Sequence, residues 1–139
     1  MTDDLQETLL DAETIRKRVT ELGADIDAHY QGEEILLITL LDGAIVFTAD
    51  LIRNLRRPLR LDCIRVSSYG DSTSPQSAPR ILGHLRAEVE NRHVLLVDDI
   101  LDTGNTLSRI HREISSRNPA SIRSCVLLDK AERRETPFR

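Results

Sequence analysis

Aromatic side chains are scarce in this sequence, which has two Phe, two Tyr and no Trp in 139 residues. The scarcity argues against a surface on which nucleic-acid bases stack. Basic residues are not in excess either, since 19 Lys and Arg stand against 23 Asp and Glu and leave a net charge of −4. A nucleic-acid partner is therefore not expected, because such binding relies on a strong positive field.

Cysteine is equally scarce, and Cys63 and Cys125 lie far apart in apolar, strand-like runs. No C-x-x-C, H-E-x-x-H or Cys/His cluster accompanies them, so a structural zinc site is not expected. Both cysteines are predicted to be reduced and packed in a core. No role is assigned to the histidines, which show neither metal-ligand nor triad spacing: His29, His84, His93 and His111.

Long hydrophobic runs are also missing. The longest, 35–41, is interrupted by Thr39 and is far shorter than a bilayer span. The first residues are acidic and carry no apolar core of a secretory signal, which predicts a soluble, cytoplasmic protein that does not bind membranes. The length predicts one domain over 1–139, large enough to fold without disulfide or metal staples.

Apolar runs and helical periodicities alternate along the chain. Helices are predicted at 12–30, at 44–56 and from about residue 106 to Asn118-Pro119, and strands at 34–40, 59–67, 80–86, 93–97 and 122–128. A phase slip at Cys63-Ile64 suggests a β-bulge, and Gly23 weakens the second half of the first helix. The alternation predicts an α/β fold with a mainly parallel central sheet flanked by helices. The polar Ser- and Pro-rich segment 68–79 is long for a connection, which is typical of a functional lid or of disorder.

The turn after the strand at 93–97 carries the most informative residues. Asp98 and Asp99 come where this strand is predicted to end, Asp102 follows, and residues 103–106 (TGNT) open a helix. Backbone N–H groups at a helix start, two hydroxyls and a glycine form a cradle for phosphate. The acids would then address another part of the ligand, such as sugar hydroxyls or a bridging Mg²⁺. A sugar phosphate has both features.

A simple helix cap is the alternative interpretation, since Asp and Thr are favoured at that position. It does not account for the paired acids, the third acid and T-G-x-T occurring together after a buried strand. The segment is neither a Walker A loop, which needs Gly-Lys-Ser/Thr, nor a G-x-G-x-x-G fingerprint.

Residues 94–107 (VLLVDDILDTGNTL) resemble the phosphoribosyl-pyrophosphate motif of type I phosphoribosyltransferases. Three further segments are similar to other parts of that family: 40–44 to its pyrophosphate loop, 66–70 to the start of its flexible loop, and 127–130 to its purine-recognition strand. Together they resemble the hypoxanthine(-guanine) branch. The resemblance implies the type I fold and conversion of hypoxanthine or guanine plus phosphoribosyl pyrophosphate to IMP or GMP plus pyrophosphate, with Mg²⁺ as cofactor.

The resemblance also implies a role for each motif residue. Asp98 and Asp99 would contact the ribose hydroxyls and, through water, Mg²⁺; Asp102 would be catalytic, beside N7 of the purine. Lys130 would bind the purine O6. The 5′-phosphate would be bound by Thr103, Gly104, Asn105, Thr106 and Leu107.

Two loops would complete the site. Leu41, Asp42 and Gly43 would bind pyrophosphate, with a non-proline cis peptide bond possible between the first two, and Ser68 and Tyr69 would lie on the lid. Asp42 replaces the basic residue often found in this family. Arg133 and Arg134 could reach pyrophosphate, although two such arginines are more often solvated.

No residue of this chain matches the family's C-terminal hood, which helps to hold the purine. The sequence therefore leaves open an alternative function, a phosphoribosyltransferase-like nucleotide-binding regulator or inactive short member. It also leaves open the choice between hypoxanthine and guanine. A homo-oligomer, a dimer or tetramer, is expected by analogy alone.

Overall fold

The computed structural model describes residues 11–67, 80–82, 85–101 and 104–129. They form three helices and five strands, in the order α1 (Ala12–Tyr30), β1 (Ile35–Leu41), α2 (Ile45–Arg53), β2 (Leu59–Ser67), β3 (Arg80–Leu82), β4 (His93–Leu101), α3 (Asn105–Ser115) and β5 (Ser121–Asp129). The strands make one sheet of order β3-β2-β1-β4-β5, in which β3 alone is antiparallel. The predicted α/β class with a mainly parallel sheet is confirmed.

Helices cover both faces of the sheet around its central strand, β1. On one face, even-numbered residues of β1 pack with α3 in a cluster that includes Leu36, Ile38, Leu40, Leu107, Ile110 and Ile114. On the other face, odd-numbered residues pack with α1 and α2 in a cluster that includes Val19, Ile26, Ile35, Leu37, Phe47 and Leu51. Burial on both faces explains why this strand is almost continuously apolar.

The crossover direction changes between β1 and β4, which lie side by side in the middle of the sheet. The chain leaves β1 for α2 on one face, and it leaves β4 for α3 on the other. In open α/β sheets such a switch point forms a crevice beyond the carboxyl ends of the strands, where ligands bind. The fold thus directs attention to the residues that follow β1 and to the end of β4.

Strand β2 does not contain the predicted bulge. Its register with β1 runs without interruption from Ile35↔Leu59 to Leu41↔Arg65. The apparent phase slip arises because Asp62 is buried, where it accepts hydrogen bonds from the backbone N–H groups of Cys63, Arg86 and Ala87. Cys63 consequently lies on the opposite, exposed side of β2, so the prediction of a packed core was wrong for it and right for Cys125.

The predicted helix at 12–30 is confirmed as α1, which continues through Gly23 to Tyr30. This glycine allows close contact with the end of α2, since a Cβ there would lie 2.7 Å from Cβ of Asn54. Other predicted element ends differ. α2 ends at Arg53 and not at 56. β3 ends at Leu82 and not at 86, and the backbone N–H groups of Arg86 and Ala87 donate to the Asp62 side chain. No helix in the described part of the chain is long and apolar enough to cross a membrane.

Candidate active site

Strand β4 runs four residues further than the sequence predicts, to Leu101. Its pairing with β1 stops at Thr39↔Val97, whereas its pairing with β5 continues to Leu101↔Asp129. Asp98 and Asp99 therefore lie on the strand and not in the turn after it. They occupy the part of β4 that has separated from β1, which is the wall of the crevice at the switch point.

The two adjacent carboxylates create an electrostatic conflict in the free protein. The backbone N–H of Asp99 donates to Oδ1 of Asp98 at 2.8 Å. Burial, together with a side-chain hydrogen bond and like charge from Asp99, raises the pKa of Asp98 to about 7. One carboxyl of the pair is thus close to half-protonated at neutral pH. A ligand that donates hydroxyl hydrogens or brings positive charge would favour the ionised form.

The loop after β1 lies against this acidic pair. A Cβ added to Gly43 would stand 3.0 Å from Oδ2 of Asp99, so a side chain there would require the carboxylate to move by a few tenths of an ångström. The Leu41–Asp42 peptide bond is cis, in agreement with what the resemblance implies. The loop after β1 and the Asp98–Asp99 pair are therefore adjacent in the fold although they are distant in sequence.

Asp42 pairs with a residue that the sequence reasoning missed. Its Oδ1 lies 3.0 Å from Nη2 of Arg65, and Nη1 of Arg65 donates to its Oδ2 at 3.2 Å. Arg65 is on β2, directly opposite Leu41 in the register. The signal that could have revealed it was a basic residue near the end of the neighbouring parallel strand, since such strands end at the same edge of a sheet.

The start of α3 lies beyond the carboxyl end of β4. Gly104 is the N-cap, with a left-handed φ of 88° that favours glycine, and it offers no side chain to cap the first turn. That turn holds no acidic residue; Asn105 and Thr106 are half-buried, and Leu107 anchors the helix in the core. A helix N-terminus carries partial positive charge, which suits an anion.

Five predicted site residues lie outside the described part of the chain: Ser68, Tyr69, Asp102, Thr103 and Lys130. Within the described ranges, no group of three or more His, Cys, Asp or Glu side chains is placed to hold a metal ion. The Asp98–Asp99 pair nevertheless fits Mg²⁺ of the kind that takes one or two carboxylates and completes its shell with water and substrate phosphate. The raised pKa of Asp98 is the observation behind this fit, because burial and the neighbouring Asp99 disfavour its charged form and a nearby cation would favour it.

Comparison with known proteins assigns the family. A family model described as the phosphoribosyl transferase domain matches residues 6–138. The hypoxanthine-guanine phosphoribosyltransferase of Mycobacterium avium is 42% identical over 137 residues, which cover 94% of this chain and 68% of that protein. The chain belongs to the hypoxanthine-guanine phosphoribosyltransferase family.

Two further relatives agree with this family. The Aquifex aeolicus hypoxanthine-guanine phosphoribosyltransferase is 42% identical over 131 residues, covering 94% of this chain and 74% of that protein. The crystal structure of a Staphylococcus aureus hypoxanthine phosphoribosyltransferase superposes with a TM-score of 0.89 at 37% identity, covering all of this chain and 76% of that one. Membership of the family confirms the predictions of the type I fold and of a phosphoribosyltransferase of purine salvage.

Proposed function

We propose that this chain transfers the phosphoribosyl group of phosphoribosyl pyrophosphate to N9 of hypoxanthine or guanine and releases pyrophosphate. The observation that carries the proposal is the contact between Gly43 and Asp99 at the switch point of the sheet. It brings the proposed pyrophosphate loop to the proposed ribose-binding carboxylates. In phosphoribosyl pyrophosphate, the pyrophosphate and the ribose are likewise next to each other.

Asp98 and Asp99 are proposed to accept hydrogen bonds from the ribose hydroxyls. Carboxylates near phosphate are unfavourable unless they address another part of the ligand, and the hydroxyls are that part. Binding of the hydroxyls would stabilise the charged form of Asp98, whose pKa is raised to about 7 in the free protein.

The 5′-phosphate is proposed to bind at the start of α3. Backbone N–H groups from Gly104 to Leu107, and the hydroxyl of Thr106, would supply the donors. The role of Thr103 there rests on the sequence alone. The phosphate and the ribose carboxylates would then fix the sugar at two points, which positions its C1 for attack.

Breaking the bond between C1 and pyrophosphate leaves positive charge on the ribose and negative charge on the leaving group. Backbone N–H groups of the Leu41–Gly43 loop are proposed to stabilise the latter. As N9 attacks C1, the purine loses the proton on N7, which the Asp102 carboxylate would accept. The Lys130 ammonium would donate to O6 and disfavour the 6-amino group of adenine, since an ammonium has no acceptor.

Mg²⁺, when bound, would supply charge neutralisation for the pyrophosphate oxygens. Asp98 and Asp99 are the described residues that would face its hydration shell, and the remaining ligands would be water and phosphate oxygens.

We propose that Ser68 and Tyr69 belong to a lid over the reacting centre, and that the chain assembles as a dimer or tetramer. Oligomerisation is supported by exposed apolar side chains on α2 and β2: Ile45, Val46 and Leu61, which are 55%, 69% and 51% exposed. Light scattering over a range of concentrations tests it, and a monomer throughout would contradict it. The cytoplasmic location stays a prediction.

The activity is tested by supplying phosphoribosyl pyrophosphate and Mg²⁺ with each base in turn. We expect IMP from hypoxanthine or GMP from guanine, and no product from adenine, xanthine, uracil or orotate. Asp102→Asn should lower turnover about 10²- to 10⁴-fold, the usual contribution of a positioned proton acceptor. Product from a different base would change the substrate class, and binding of the donor without turnover would contradict the transferase reaction.

A further inference from the structure

The proposed pyrophosphate loop contains an acid, which poses a problem for binding a leaving group that carries several negative charges. Asp42 lies between Leu41 and Gly43, and its side chain is 72% exposed. A carboxylate beside pyrophosphate repels it unless a cation is present. The loop therefore needs positive charge from elsewhere in the fold.

Arg65 is the cation that the fold brings to this loop. Two of its guanidinium N–H groups face the two oxygens of Asp42, at 3.0 and 3.2 Å, in a fork-to-fork pair. The register of β1 and β2 fixes this position, because Arg65 is opposite Leu41. A guanidinium has five N–H donors, so three remain for other acceptors.

This ion pair has little value for folding. Its side chains are 55% and 72% exposed, and ion pairs of that kind contribute almost nothing to stability. What distinguishes it from the exposed Arg53–Asp50 pair is its position, because it joins the proposed pyrophosphate loop to the end of β2. With the pair in place, the loop presents guanidinium N–H groups next to its own backbone N–H groups.

We propose that Arg65 binds the pyrophosphate group directly and that Asp42 is the positioning carboxylate that holds its guanidinium beside the loop. The inference rests on the proposed function, in which Leu41–Gly43 bind pyrophosphate. It assigns the positive charge of the leaving-group site to β2, where neither the loop motif nor the resemblance places it.

The first test is Arg65→Ala. We expect the KM for phosphoribosyl pyrophosphate and the inhibition constant of pyrophosphate to rise about 10-fold or more, as for loss of a hydrogen bond to a charged group. The KM for the purine base should change less than about twofold, since the base lies at the other side of the ribose. Arg65→Lys keeps the charge but not the fork and should be intermediate.

A double-mutant cycle separates direct binding from simple neutralisation of Asp42. If Arg65 only cancels the aspartate's charge, Arg65→Ala should have no effect once Asp42→Asn has removed that charge. If Arg65 binds pyrophosphate, Arg65→Ala should weaken pyrophosphate binding about 10-fold in the Asp42→Asn background as well. Recovery of wild-type affinity by the double variant would overturn direct binding.

Arg53→Ala is the matched control, because Arg53 forms an exposed ion pair with Asp50 at 3.0 Å in the last turn of α2. It makes the same change in net charge and should leave pyrophosphate affinity unchanged. Calorimetric titration of all variants with pyrophosphate and Mg²⁺ measures binding without turnover. Failure of the wild-type chain to make nucleotide would count against the proposed function, whereas an active wild type with unaltered pyrophosphate affinity in Arg65→Ala would overturn this inference alone.

Discussion

Charged residues are used in opposite ways at the amino edge of the sheet, where its parallel strands begin, and at the carboxyl edge, where they end. At the amino edge, Arg57 is 2% exposed and pairs with Asp27 at 2.9 Å, while it also donates to the carbonyl of Glu33 at 2.7 Å. His93 bridges Glu33 and Ser121, with 2.7 Å to each. At the carboxyl edge, Asp98 lies beside Asp99, and burial together with this neighbour raises the pKa of Asp98 to about 7.

The charged groups at the amino edge therefore stabilise the fold, whereas those at the carboxyl edge are arranged to bind a ligand. Opposite charges and hydrogen-bond partners at the amino edge satisfy each other within the chain. At the carboxyl edge, burial beside a second carboxyl group disfavours the charged form of Asp98, and a ligand from outside would relieve this cost. Local conflicts of this kind are expected at functional sites, where binding takes precedence over stability.

The largest expected effect on stability comes from the amino edge. Arg57→Ala should lower the free energy of unfolding by about 3–5 kcal/mol, because it leaves the half-buried Asp27 without its cation. Urea denaturation measures the change. Arg53→Ala, which breaks an exposed pair, should cost no more than about 1 kcal/mol. A loss of similar size in the two variants would contradict the structural role given to Arg57.

At the carboxyl edge, a substitution should raise the free energy of unfolding, the opposite of the effect expected for Arg57→Ala. Asp98→Asn removes a charge that is costly in the free protein, so it should raise stability by about 1 kcal/mol or more at pH 8. It should also lower kcat/KM about 10- to 100-fold, since a charged acceptor for the ribose hydroxyls is lost. Activity and urea denaturation of the same preparation measure both changes.

The raised pKa of Asp98 determines whether stability rises or falls with pH. Its pKa is about 7 in the folded chain, against an ordinary 3.8, so the folded state holds an extra proton between these values. Stability should therefore fall as pH rises from about 4 to 7, and Asp98→Asn should remove that fall. Asp62→Asn is the contrasting control, because this buried carboxylate accepts three backbone N–H groups and its replacement should destabilise. Unchanged stability in Asp62→Asn together with lower stability in Asp98→Asn would contradict the contrast drawn between these two carboxyl groups.

Local pattern was sufficient to predict some features of the carboxyl edge. The apolar run of β1 indicated a buried strand, and the acids after Val97 indicated a ligand site, because both signals lie within a few consecutive residues. The extension of β4 to Leu101 was not predicted, since it depends on pairing with β5. The roles of all the proposed site residues remain predictions, and five of these residues also lie outside the described part of the chain: Ser68, Tyr69, Asp102, Thr103 and Lys130.

The amino edge could not be predicted in the same way. Its contacts join residues that are far apart in the chain: Arg57 reaches Asp27, and His93 reaches Glu33 from 60 positions away. No periodicity or short motif encodes such pairs, so His93 was given no role. At the carboxyl edge, Arg65 was missed although it lies near the end of a predicted strand, because its partner Asp42 is 23 positions away in the loop after another strand.

A smaller effect is expected from a substitution at the contact between the loop after β1 and the Asp98–Asp99 pair. Gly43→Ala places a methyl group 3.0 Å from the Asp99 carboxylate and should displace it. We expect kcat/KM to fall about 10-fold, since small displacements of binding groups are costly to catalysis. Stability should change by less than about 1 kcal/mol, because Gly43 is exposed and has no left-handed φ. Unchanged kinetics would show that the loop and Asp99 act independently.

The smallest expected effect is at His93. His93→Gln shortens the bridge between Glu33 and Ser121 and should lower the free energy of unfolding by about 1 kcal/mol, the value of an ordinary hydrogen bond. The KM values for both substrates should stay the same, because the bridge lies at the edge of the sheet away from the crevice. Denaturation and steady-state kinetics measured together decide the point. A rise in either KM without loss of stability would mean that the two edges are coupled and that satisfied pairs at one edge also shape the ligand site at the other.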